Sequence, residues 1–213
     1  MATLVEVAEI REILGVSDAI DDARIEHAIF AVTAQIQAYC GRQFIADAEA
    51  SARVFVAQSP VLCEVDDIAT SVGLIVKTDE DDDGVFETTW AAGDYQTEPL
   101  NGRLAGQRWP TTRLRAIQSR EWPWDYGQAL VQVTARWGWS LVASGHSGHL
   151  HDELPHPVCE AAKIQTVSVF KSAEAPLGIA GFGDIGVMRL RQALHPAAIA
   201  LLEPYRRDPV LVA

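Results

Sequence analysis

The strongest constraint on this chain is a double change of periodicity: helical up to Gly41, strand-like from about Ala52, and helical again after Pro155. Leu4, Val7, Ile10, Ile13 and Leu14 fall at helical spacing, and Gly15 follows as a stop. Ser17-Asp18 and Asp21-Asp22 offer N-caps for a longer helix. Its apolar positions Ile25, Ile29, Val32, Ile36 and Tyr39/Cys40 keep one face, and Gly41 ends it. The short acidic turn between the two predicts an antiparallel pair.

The middle of the chain offers β-favouring pieces at 53–56, 73–76, 86–90, 114–117 and 130–137. Ser59-Pro60, Asp83-Gly84, Gly93-Asp94, Asn101-Gly102 and Trp109-Pro110 punctuate them. Strands without intervening helices predict an antiparallel sheet or small barrel. After Pro155, Pro157 suits a first helical turn, and Val158 to Lys171 runs almost without charge. A helix so weakly polar all round is buried on most sides or packed against other chains. A glycine-rich segment from Gly178 to Gly186 precedes a short helix, Pro196 to Leu202. The predicted class is α+β. Residues 1–45 and 155–213 form a helical frame of two N-terminal helices, a long central helix and a short C-terminal one. Residues 50–140 form an inserted β domain, and 141–154 a flexible Gly/His loop.

Charge narrows the function. The net charge is −12, whereas a chain that grips phosphate backbones needs clustered Lys and Arg. Residues 1–100 hold 20 acids and 5 bases, and the remainder 9 acids and 12 bases. Should that asymmetry become a surface dipole, like copies stack acidic face to basic face; otherwise the run Asp79–Asp83 alone drives the number. No uncharged stretch reaches the roughly 18 residues of a membrane helix. The opening residues Met1 to Glu6 lack a basic lead and an apolar signal core. Cys40, Cys63 and Cys159 are too scattered for a disulfide framework. The expectation is a soluble protein made in a reducing cytoplasm.

Asp79, Asp81 and Asp83 with Gly84 match positions one, three, five and six of a calcium loop. Position twelve is Trp90 where a bidentate glutamate belongs, and strands flank the run. The competing reading is a solvated hairpin tip in which Asp-Gly serves the turn. His146, His149, His151 and His156, with Asp152 and Cys159, offer zinc-ligating types at a spacing that matches no common zinc pattern. Gly181 to Gly186 satisfies G-x-G-x-x-G but follows a helix, outside the strand–helix context of a dinucleotide site. No G-x-S-x-G elbow or local Cys–His signature occurs. The tryptophans at 122/124 and 137/139 read as core or interface anchors. The residues supply no catalytic site and call for no cofactor.

The helix closing on Ala38-Tyr39-Cys40-Gly41-Arg42-Gln43-Phe44 and the strand Val131-Gln132-Val133-Thr134-Ala135-Arg136-Trp137-Gly138-Trp139 resemble the tailed-phage head–tail connector family, also called head completion or head-to-tail adaptor proteins. Phe170-Lys171-Ser172, Ala175-Pro176, Val187-Met188-Arg189 and Leu201-Leu202-Glu203-Pro204-Tyr205-Arg206-Arg207 extend the match in order. The β insertion is larger than in the minimal helical members. The resemblance implies a non-enzymatic virion protein at the head–tail junction. It implies a ring of about a dozen copies below the portal, a closed head-to-tail assembly needing two different adhesive faces. Such a ring extends the DNA channel and docks stopper or tail proteins. Double-stranded DNA is then a passing, non-specific cargo. Under that implication Val158, Ala162, Gln165 and Val169 are assigned to the ring interface, and the basic segment Pro204, Tyr205, Arg206 and Arg207 to the portal. The alternatives are a calcium- or zinc-binding interaction module, or a non-catalytic tail-associated structural protein.

Overall fold

The computed structural model describes residues 3–104, 107–124, 127–141, 154–174, 179–181, 187–189 and 194–207. It has an α+β fold whose chain divides into two compact units, residues 1–42 with 146–212 and residues 43–145.

The first unit is helical: α1 (Val7–Leu14), α2 (Asp22–Cys40), α3 (His156–Glu174) and α4 (Pro196–Leu202). Glu6 and Glu9 cap the start of α1 reciprocally, the Glu6 N–H donating to Glu9 Oε2 at 3.0 Å. α2 buries Ile25, Ala28, Ile29, Val32, Thr33, Ile36 and Cys40, one stripe at three- and four-residue spacing. Gly41 ends it at φ 60°, a left-handed conformation that a side chain disfavours. α3 packs against α1, α2 and α4. Gln165, 2% exposed, joins three helices: its Nε2 donates to Gln35 Oε1 at 3.1 Å, and its Oε1 accepts the His195 N–H at 2.8 Å. His195 in turn caps α4, Nδ1 accepting from the Ala197 N–H.

The second unit carries β1 (Ser51–Phe55), β2 (Leu62–Ile68), β3 (Ile75–Thr78), β4 (Thr88–Trp90), β5 (Tyr95–Glu98), β6 (Arg103–Leu104), β7 (Gln107–Arg108), β8 (Thr111–Ala116) and β9 (Val131–Ala135). Two open antiparallel sheets, ordered β1-β9-β3-β4 and β2-β8-β5, share one core, so of the sheet and barrel alternatives the open sheet forms. Cys63, Val65, Ile68, Val76, Leu114, Val131, Val133 and Trp137 fill that core, and Trp90 stacks on Trp122 at 3.9 Å. The predicted strands all form, with shifts of up to three residues at their ends. β2, β5 and the short pair β6–β7 add to them. β2 hides in the sequence because Leu62-Cys63-Glu64-Val65-Asp66-Asp67-Ile68 carries three carboxylates; Arg113 and Arg53 meet two of these at 3.0 and 2.7 Å.

Gly138 has φ 134°, and a Cβ there would sit 2.5 Å from Ala46 Cα and 2.9 Å from the Ile45 carbonyl oxygen. The close approach lets Trp139 donate its N–H to the Gln43 carbonyl at 2.8 Å while its ring packs on Phe44. A further hairpin, β10 (Ile179–Gly181) paired with β11 (Val187–Arg189), follows α3.

Candidate interaction surfaces

The C-terminal segment assigned to a portal contact begins as an internal clamp. Tyr205 is 4% exposed, packed inside the helical unit, while Pro204 and Arg206 are exposed and Arg207 half-buried. Tyr39 donates its hydroxyl proton to Glu203 Oε2 at 2.9 Å, and Arg206 reaches Glu203 Oε1 at 3.3 Å. The Arg206 guanidinium lies 5.0 Å over the Tyr39 ring. The Arg207 N–H donates to the Cys40 carbonyl at 2.8 Å, filling one of the orphan acceptors at the end of α2. Two arginines at a helix C-terminus also complement its partial negative charge. Residues 208–213 lie outside the described residues.

Three of the four residues of α3 assigned to a ring interface face away from solvent. Val158, Ala162 and Gln165 are 0%, 1% and 2% exposed within the single chain, and Val169 is half-buried. The side of α3 that does reach the surface carries Ile164, Val167 and Ser168, flanked by Lys163 and Lys171. With Ile13 of α1, 53% exposed, these line a groove of about 600 Å³. The near absence of charge in α3 therefore marks two faces: one against α2 and one open.

The acidic run forms a hairpin tip. Asp79 is 2% exposed; its Oδ1 accepts the Asp82 N–H at 2.7 Å and its Oδ2 the Gly84 N–H at 2.8 Å. Asp81, Asp83 and Glu87 bring carboxylate oxygens within 4.8 Å of it and of one another. Glu87, at position nine of the calcium-loop count, completes a four-carboxylate cluster, and its place in that count was the signal that could have found it. The chemistry fits a hard cation only in part. Both Asp79 oxygens already brace the turn, and Trp90 at position twelve is a core residue whose Nε1 donates to Thr78 Oγ1 at 3.0 Å. The charge of Asp83 chiefly holds the Asp81 carboxyl above its ordinary range.

His146, His149, His151 and Asp152 lie outside the described residues. His156 is exposed at the first turn of α3, whereas Cys159 is buried. Cys40, Cys63 and Cys159 are all buried, and burial pushes each thiol up to about 12, far from a reactive thiolate. Of the G-x-G-x-x-G segment only Gly181 lies among the described residues, as the last residue of β10, which pairs with the antiparallel β11. Of the paired tryptophans, Trp122, Trp137 and Trp139 are core, and Trp124 is 47% exposed. Sequence reasoning missed the Tyr39–Glu203 clamp, whose partners lie 164 residues apart and carry no local signal.

No protein-family model matches the sequence, and no curated protein matches it. Solved structures do. A chain in the neck of an empty GTA particle computed with C6 symmetry is 18% identical, with a TM-score of 0.57 over 100% of this chain and 96% of that one. The neck of the native GTA particle computed with C12 symmetry gives 19% identity and a TM-score of 0.50, covering 97% and 91%. The virion of the native gene transfer agent particle gives 18% and 0.55, covering 100% and 96%. From α1 to the end of α4, this chain has the fold of a chain found in the gene transfer agent neck, in keeping with its resemblance to the head–tail connectors.

Proposed function

We propose that this chain is a non-catalytic structural protein of a virion neck, a head–tail connector. Its copies form a ring below the portal, extend the DNA channel and dock stopper or tail proteins. The observation that carries the reading is the fold, shared along the whole chain with neck chains solved in sixfold and twelvefold symmetric assemblies.

The chemistry of the chain agrees. A net charge of −12 suits a conduit through which DNA slides, since fixed cationic contacts would hold the backbone. The inert, buried thiols and the absence of a catalytic sequence motif suit a structural role. In this reading the helical unit carries the ring contacts. The segment Pro204–Arg207 is the base from which the chain meets the portal. The protein is made in the host cytoplasm and resides at the head–tail junction.

Peptide mass spectrometry of purified particles, combined with imaging of the head–tail junction, tests this. The expected result is density for this fold, repeated around the axis between head and tail. Absence of the chain from mature particles overturns it.

A further inference from the structure

The helical unit exposes two apolar features, a groove and a knob, edged by opposite charges. One is the groove between α1 and α3, floored by Ile13, Ile164 and Val167 with Lys171 at its edge. The other is the α1–α2 turn. There Ile20 is 83% exposed, the most exposed large apolar side chain among the described residues. Asp18 Oδ1 accepts the Ile20 N–H at 3.2 Å, so a local turn holds the isoleucine outward as a knob. Asp21 is held by Arg24 at 2.7 Å and Asp22 by Arg11 at 3.5 Å. Asp18 and Lys171, by contrast, have no ion-pair partner among the described residues. The unpaired acid beside the exposed knob and the unpaired base beside the open apolar groove are opposite in charge and so electrostatically complementary.

We infer that the α1–α2 turn of one copy seats Ile20 in the α1/α3 groove of the next, with Asp18 facing Lys171, and that this contact repeats around the ring. Repeated around a ring the contact is head-to-tail: each copy gives its knob to the next and receives in its groove the knob of the one before. The inference rests on the neck-ring reading. It places the ring interface on the open face of α3, since Val158, Ala162 and Gln165 are consumed by packing within the chain.

The test uses particles assembled from a mixture of copies, some carrying Ile20→Cys and others Val167→Cys, treated with a short bismaleimide. The native cysteines are buried and do not compete. A covalent dimer joining peptide 20 to peptide 167 is expected in the mixture and in neither variant alone. Asp18→Lys and Lys171→Asp should each lower incorporation into particles about tenfold, and the two together in one chain should restore it. If the chain occupies the neck but position 167 links to another protein or to nothing, and the exchange fails to rescue, the inference is overturned and the neck reading stands. If the wild-type chain is missing from particles, the neck reading falls first, and the inference with it.

Discussion

Tyr39, in the last turn of α2, donates its hydroxyl to Glu203 at 2.9 Å, fastening the end of the chain's longest N-terminal helix to the residue that follows α4. Arg206 stacks on the same tyrosine and pairs with the same glutamate, and Arg207 closes on the Cys40 carbonyl. The basic segment is therefore first an anchor, and what leaves it starts from a fixed point on the helical unit.

Anchor and extension separate by mutation. Removing residues 208–213 should leave the urea midpoint unchanged while blocking attachment of tails to filled heads. Tyr205→Ala removes a buried aromatic ring and should cost about 3 kcal/mol. Equal stability of the parent and Tyr205→Ala would contradict the anchor.

Burial first, and the bond to Glu203 next, raise the Tyr39 phenol above its ordinary value of 10.0. The folded chain then holds this proton more tightly than the unfolded chain does. The stabilisation is complete below pH 10 and is lost as the pH rises through the raised value. Ultraviolet titration should show Tyr39 ionising late, and Glu203→Gln should bring it earlier.

Gly138→Ala forces a Cβ to within 2.5 Å of Ala46 Cα at a φ of 134°. A loss of about 3 kcal/mol is expected from backbone strain and overlap together. Urea unfolding measures it, and a loss within error of zero would show that the 45–46 segment moves freely.

At the acidic hairpin, Asp79 and Asp81 should respond in opposite directions. Asp79→Ala strips the acceptor from two backbone N–H groups and should cost about 2 kcal/mol. Asp81 carries a raised pKa caused mainly by Asp83, so the folded chain is destabilised as the pH climbs from 3.8 through the raised value. Asp81→Asn should therefore raise the thermal midpoint at neutral pH and low salt. The gain should shrink toward 1 M salt, where the Debye length falls to about 3 Å.

Gln165→Ala should leave the His195 N–H and the Gln35 side chain without their partner, at a cost of about 2 kcal/mol. Hydrogen exchange at His195 should rise with it. An unchanged rate would mean that the α3–α4 junction is held by apolar packing alone.

The helices were legible because their information is local. Ile25, Ile29, Val32 and Ile36 repeat at helical spacing, and Gly15 and Gly41 stop their helices in the left-handed conformation. The α+β class followed from the two changes of period. The acidic run announced a hairpin tip, though not that Asp79 would be buried as its brace. Pairing is another matter. β1 lies against β9, some eighty residues away, and β2 pairs with β8, about fifty residues on, burying Cys63, Val65 and Ile68 while arginines from β1 and β8 meet its carboxylates. No window of sequence contains both partners, so only the folded chain chooses them. The same holds for exposure along α3. Composition showed a helix with too little charge to stand alone, but which residues turn inward depended on where α1, α2 and α4 came to rest. Periodicity is a property of neighbours along the backbone, whereas burial is a property of neighbours in space.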